Sequence, residues 1–262
     1  MTYRYDLPDE IQIESDGPIR LIRLNRPDDL NAANDPLHRG MARVFKQVDE
    51  DPDARVAVIT GNGRAFSAGG DFEFLYEMSY DERARCEMFV DARAIVTSMV
   101  ACRKPIVAAV NGPAVGLGCS IVALSDVVFM AESAHLADPH VLVGLVAADG
   151  GAVTWPLLTS LQLAKEYAFT GDRITAQRAA QIGLANHVVP DGEVVDAALA
   201  FAQRLTKVPF QALVDTKRAL NMHLERAVLN VLDYALVTED RSFTSDDTRS
   251  FLAKALKKEQ QD

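Results

Sequence analysis

The chain has 262 residues, 48% of them apolar and 24% charged, the balance of a soluble globular protein whose core needs no disulfide or metal. Disordered, collagenous and coiled-coil chains are excluded by that balance. The 27 basic and 37 acidic residues leave a net charge of −10, which argues against broad binding to nucleic acid or an anionic membrane, although a local basic patch can still hold a small anion.

In chain order, residues 20–25 (RLIRLN) form the first predicted strand, rich in β-branched and apolar side chains and bounded by polar punctuation. Residues 36–49 follow with Leu37, Met41, Val44, Phe45 and Val48 at helical spacing and Asp35 as the expected N-cap. A strand is expected at 55–60 (RVAVIT), a long helix at 81–101, and another strand at 106–111 (IVAAVN). Residues 117–124 are apolar nearly all round and predict a buried helix, before a last strand at 127–131 (VVFMA). Strands alternating with helices mean an α/β fold. After about Gly150 the pattern turns helical, at 155–170, 175–182, 193–206, 209–230 and 231–243, punctuated by Gly171, Gly183, Pro190, Gly192 and Pro209. The tail at 254–262 (KALKKEQQD) is expected to fray. No apolar run approaches the ~20 residues of a membrane helix, and the start, MTYRYDLPDE, has no signal core. Cys86, Cys102 and Cys119 fit no zinc template, so no metal is expected, and reduced thiols in a cytoplasmic protein are the simple reading.

Two glycine-rich turns carry the chemistry. Residues 61–71 (GNGRAFSAGGD) follow a predicted strand, and their backbone amides are left uncovered to meet a negative oxygen. Phe66 stands where a dinucleotide fingerprint would need its third glycine. Residues 110–120 (VNGPAVGLGCS) end the next strand and open the buried helix, whose start offers free N–H donors and a positive dipole end. Plain turn geometry and close helix packing would explain the same glycines. Two such turns, each after a strand, suggest two amides converging on one oxygen, an oxyanion hole.

The runs Phe66-Ser67-Ala68-Gly69-Gly70-Asp71, Lys104 to Gly112 and Gly116-Leu117-Gly118-Cys119 resemble the enoyl-CoA hydratase/isomerase (crotonase) family. The likeness continues through Phe169-Thr170-Gly171, Ala179 to Leu184 and Val188-Val189-Pro190 to Thr238-Glu239-Asp240, nearly the whole chain. It implies a spiral of ββα turns over residues 1–200 and a helical trimerisation region over 201–262. It implies trimers or paired trimers, no permanent cofactor, and an acyl-coenzyme A thioester as ligand. The amides of Gly70 and Leu117 would form the hole, with Leu117 where the family often has glycine. Ala65, Ala68, Asp71, Gly116 and Trp155 would meet the substrate, the backbone near Ala65 and Ala68 facing its adenine and pantetheine.

The family's two hydratase glutamates fall on Ser120 and His140, so neither carboxylate is present. His140 can shuttle protons near neutral pH, and Asp149 can orient it and stabilise its charged form. The run from Pro139-His140 through Asp149-Gly150 to Trp155-Pro156 is similar to the 6-oxocamphor hydrolase branch, which cleaves cyclic β-diketones. In that likeness His38 and Glu239 match a further histidine and glutamate, while another histidine expected near Leu117 is missing. Each residue also has a plainer role. Asp149 could cap a helix starting at Gly150 or Gly151, His140 could be structural, His38 could pack or lie at the surface, and Glu239 could be solvated or bridge subunits. The leading expectation is an enoyl-CoA hydratase or isomerase with an unusual acid–base set. The alternatives are a C–C bond hydrolase of β-dicarbonyl compounds and a non-catalytic acyl-CoA binder.

Overall fold

A computed structural model describes residues 3–259. The elements run β1 (Ile11–Asp16), β2 (Ile19–Leu24), α1 (Asp35–Glu50), β3 (Val56–Gly61), α2 (Phe72–Met78), α3 (Glu82–Ala101), β4 (Ile106–Val110), β5 (Ala114–Val115), α4 (Leu117–Leu124), β6 (Val127–Ala131) and β7 (His135–Ala137). They continue with α5 (His140–Val143), α6 (Gly151–Leu158), α7 (Leu161–Thr170), β8 (Ile174–Thr175), α8 (Ala176–Ile182), β9 (His187–Val189), α9 (Val194–Thr206), α10 (Phe210–Ala227), α11 (Asp233–Phe243) and α12 (Asp246–Glu259). A six-stranded sheet has the order β1-β2-β3-β4-β6-β9, and a three-stranded one the order β5-β7-β8. Only β1 pairs antiparallel in the larger sheet, so β3 and β4 are buried along their whole length and read as unbroken apolar runs.

The α/β core and the helical C-terminal region expected from the sequence are both present. Local chemistry sets the element boundaries. Asn34 caps α1 by accepting from the Leu37 amide, so the cap falls one residue before Asp35. Asp81 caps α3 in the same way through the Ala84 amide. The stretch expected as one helix at 155–170 is two, because the backbone turns extended at Ser160 and its hydroxyl restarts the chain as the cap of α7. The predicted break near Asn230 is instead a π turn, Val228–Leu232, that joins α10 to α11.

The frayed tail is corrected over the described residues. Helix α12 runs through Glu259, while 260–262 lie outside them. Tertiary contacts hold it. Thr248 donates its hydroxyl to the Gly144 carbonyl, Phe251 meets the Phe72 ring edge-on, and Leu252 is fully buried. One continuous core links β1 at Ile11 to α11 at Leu236, and α9 packs over β3, β4 and β6. Among the described residues no helix is long and apolar enough to cross a membrane.

Candidate functional site

The parallel strands deliver two turns to the same place. The turn after β3 is pinned by Ala68 N–H to the Leu30 carbonyl, Ala33 N–H to the Gly69 carbonyl and Asp71 N–H to the Ala33 carbonyl. Gly69 N–H is taken by the Ser67 hydroxyl. The amide between them, on Gly70, has no partner among the described residues. After β4, Val115 N–H goes to the Ser67 carbonyl and Gly116 N–H to the Ala137 carbonyl. Leu117 is the first residue of α4, so its amide lacks a carbonyl one turn back and is likewise unpartnered among the described residues.

Glycine lets the two turns touch. Gly69 has φ +95° and Gly116 φ +52°, a region that side chains rarely adopt. A Cβ on Gly69 would stand 3.0 Å from the Val115 carbonyl oxygen, and one on Gly116 would stand 3.7 Å from the Gly69 Cα. The two uncommitted amides therefore belong to neighbouring segments, and Gly70 and Leu117 line one cavity of about 330 Å³.

The same cavity is also lined by titratable side chains. His140 opens α5 just beyond β7, and its Nε2 lies 3.5 Å from Asp149 Oδ2 and 4.0 Å from Glu239 Oε1. Its Nδ1 is hydrogen-bonded to Asp138 Oδ1. Asp149 Oδ1 accepts a 2.6 Å hydrogen bond from the Ser120 hydroxyl. A carboxylate thus stands beside position 120 although that position itself is a serine. Asp149 does not cap α6, whose N-cap is Gly150 with no side-chain bond.

Burial and charge set the proton states. Burial alone would depress His140, but the Asp138 and Asp149 carboxylates outweigh it and hold the imidazole well above its usual value. Burial pushes Asp138 up, and the His140 charge and hydrogen bond reverse this to leave it below the usual range. Asp149 is raised, by burial first and by the Asp138 charge, against the pull of His140 and Ser120. Glu239, only 6% exposed, is raised by burial to about 8, so most of it is protonated at neutral pH. His38, also buried and also lining the cavity, is depressed by burial to about 4 and is neutral.

The expected site residues therefore separate. Ala68, Gly70, Gly116, Leu117, His38, His140, Asp149 and Glu239 share the cavity, with apolar walls that include Phe74, Met88, Leu145 and Phe243. Among the described residues no Lys or Arg lines it. Glu239 is buried rather than solvated, and His38 is neither plain packing nor surface. Four expected residues lie elsewhere. The Ala65 carbonyl is occupied by Asn31 and Asn111. Asp71 caps α2 and pairs with Arg26 at 3.0 Å. Ser120 sits behind Asp149, and Trp155 is buried in the core, outside the cavity lining. Asp138 was missed by sequence reasoning. Its only signal was an acidic residue two places before the singled-out histidine.

A sequence model of the enoyl-CoA hydratase/isomerase family matches residues 14–260. A crystal structure of an enoyl-CoA hydratase/isomerase from Mycobacterium paratuberculosis superposes with a TM-score of 0.94 at 60% identity, covering 95% of this chain and 100% of that one. The 2,3-dehydroadipyl-CoA hydratase of Escherichia coli K12 is 33% identical over 90% of this chain and 89% of its own length. A β-diketone hydrolase from the cyanobacterium Anabaena sp. PCC 7120, bound to (S)-3-oxocyclohexyl acetic acid, superposes with a TM-score of 0.84 at 27% identity, covering 90% of this chain and 94% of that one.

Proposed function

The chain belongs to the enoyl-CoA hydratase/isomerase family, and from that premise we propose that it adds water to, or moves the double bond of, an enoyl-CoA thioester with His140 and Asp149 in place of paired glutamates. The carbonyl oxygen of the thioester lies between the Gly70 and Leu117 amides. Donors fixed before the reaction stabilise the enolate oxygen as negative charge develops there, and losing one costs about 3–4 kcal/mol in characterised oxyanion holes. His140 and Asp149 then exchange the proton with carbon or with water. The observation that carries this reading is the presence, in one cavity, of two uncommitted amides and an imidazole 3.5 Å from a buried carboxylate.

The acyl group that fits the cavity is uncharged and apolar. Its walls are mainly aromatic and aliphatic, and no Lys or Arg stands ready to pair with a second carboxylate. Coenzyme A enters as part of the substrate, and no permanent cofactor takes part. A homotrimer, or a pair of trimers, is the assembly supported by family membership and by the exposed Leu229, Tyr234 and Val237 near the α10–α11 junction. Light scattering tests that assembly.

A second reading is favoured by one further observation. His38 and Glu239 line the same cavity as His140 and Asp149, and these are the four residues that the likeness to the β-diketone-cleaving branch singles out. In that reaction a water that gives its proton to the coupled His140–Asp149 pair attacks one carbonyl of a β-dicarbonyl compound, the bond between the two carbonyl-bearing fragments breaks, and the amide pair holds the departing enolate. The discriminating experiment assays the protein on a series of enoyl-CoA thioesters and on cyclic β-diketones without coenzyme A. Turnover of the thioesters, with about 2.7 kcal/mol of stabilisation by coenzyme A at 100 times its Kd, supports the first reading. Turnover of the diketones alone overturns it in favour of the second. Binding of the thioesters with no turnover of either class would mark the non-catalytic alternative.

A further inference from the structure

We propose that Asp138 is the positioning residue of this site: it holds the Nδ1 proton of His140 and leaves Nε2, on the side of Asp149 and the cavity, as the ring nitrogen that exchanges protons with substrate. The sequence pointed to Asp149 as the carboxylate that orients His140. The geometry moves that role to Asp138 and leaves Asp149 on the reacting side of the ring. The inference rests on His140 being the proton carrier, as argued above.

Three observations carry it. First, the ring is held unequally. Nδ1 makes a direct bond to Asp138 Oδ1, which also lies 3.5 Å from the His140 backbone nitrogen. Nε2 stands 3.5 Å from Asp149 Oδ2, at the outer limit of a hydrogen bond. That looser side leaves a place for a proton that must come and go.

Second, Asp138 is built to stay ionised. It is 2% exposed, and the His140 charge keeps its pKa below the ordinary carboxylate range despite burial. Its other oxygen lies against the start of α6, where a Cβ on Gly151 would come within 2.8 Å of Oδ2. Glycine opens that space, and the unpaired amides and positive end of α6 favour an anion there. An ionised carboxylate can only accept, so the shared proton belongs to Nδ1.

Third, among the described residues no other charged group competes for Nδ1. The titratable groups around the imidazole are Asp138 from its own segment, Asp149 from the loop before α6, and Glu239 from α11. Glu239 is mostly neutral at neutral pH and lies toward Nε2. Cys119 of α4 is held as a thiol by burial. His38, also in the cavity lining, is neutral.

Nitrogen-15 spectra of histidine-labelled protein test the proposal without substrate, with the His140 signals identified by their loss in His140→Gln. The expected neutral ring carries its proton on Nδ1, and Nε2 is the nitrogen that titrates. A neutral ring protonated on Nε2 overturns the proposal, and this measurement needs no variant of Asp138. In Asp138→Asn the side-chain amide can donate to Nδ1 and favour the other tautomer. The variant should lower the His140 midpoint by about a unit or more, and kcat by about tenfold or more with KM little changed. A fall in Tm with the tautomer and midpoint unmoved would make Asp138 merely structural and also overturn the proposal. Because the spectra report the ring in the free protein, they stand whichever reaction the assays find.

Discussion

The cavity has two unlike sides. One is backbone: the Gly70 and Leu117 amides, left over when the amides of Ala68, Gly69, Asp71, Val115 and Gly116 found partners. The other is side chain: His140, Asp149 and Glu239, with Asp138 behind the ring, brought from three separate segments by packing. An amide exists at any residue except proline, so the first side is fixed by the path of the chain and tolerates changes such as Leu117 at its rim. The second side depends on residue identity. A protein can thus keep its means of polarising a carbonyl while replacing paired glutamates with imidazole and aspartate.

If that division is right, removing the proton carrier should do most damage. His140→Gln should lower kcat by about 10²–10⁴, the usual contribution of a positioned acid or base, with KM close to wild type because the backbone side still binds the carbonyl. An unchanged kcat would take His140 out of the chemistry. Leu117→Pro attacks the other side. Proline is tolerated at the first position of a helix and removes only an N–H that the helix does not use. The expected loss is about 10²–10³ in kcat, against a much smaller change for Leu117→Ala, which keeps the amide. Equal rates for the two variants would mean that the amide holds nothing.

Glu239 sharpens the comparison through pH. Its pKa rises from 4.5 to about 8 on burial, so between those values the folded protein holds a proton that the unfolded chain has released. Stability must therefore fall as pH rises from about 4.5 through about 8. Glu239→Gln is neutral at every pH and removes that loss. Chemical denaturation should find it close to wild type at pH 4.5 and more stable by about a few kcal/mol at pH 9. The raised His140 gives a slope of the same sign, since its contribution is present below pH 6.5 and lost as pH rises through the folded value. Glu239 is the smallest of the contributions that raise His140, so most of that slope stays in the variant and the difference between the two proteins reads mainly Glu239. Parallel pH curves would show a carboxylate already ionised in the fold.

The backbone side was the more legible in the sequence for the same reason. Strands β3, β4 and β6 and helices α1, α3 and α4 announce themselves by apolar pattern, and the glycines mark where the turns must approach. Strands β5, β7 and β8 are only two or three residues long and exist through pairing with distant segments, so no local pattern revealed them. The tail at 254–262 was expected to fray, but as far as Glu259 it continues helix α12, whose Phe251 and Leu252 pack against the rest of the chain. In the site, His140 and Asp149 stood out by type. Their 3.5 Å approach and the insertion of Ser120 behind Asp149 follow from β7, α4 and α6 meeting, which one-dimensional spacing does not encode.

Trp155 offers the smallest effect and the sharpest boundary. The sequence left it as core or pocket wall, and the side chain is 2% exposed and lies in the main core rather than along the cavity. Its indole nitrogen is buried with no hydrogen-bond partner among the described residues. Trp155→Phe removes that unpaired donor, whose burial costs about 1–3 kcal/mol, and leaves a void whose cost is of similar size. The two effects oppose, so stability should change by only about 1 kcal/mol in either direction. Neither reaches the Gly70 and Leu117 amides or the His140 ring, so kcat and KM should stay within about twofold of wild type, less than the weight of one lost donor. A several-fold rise in KM, with Tm preserved, would extend the substrate contact surface to α6 and move the border between core and site.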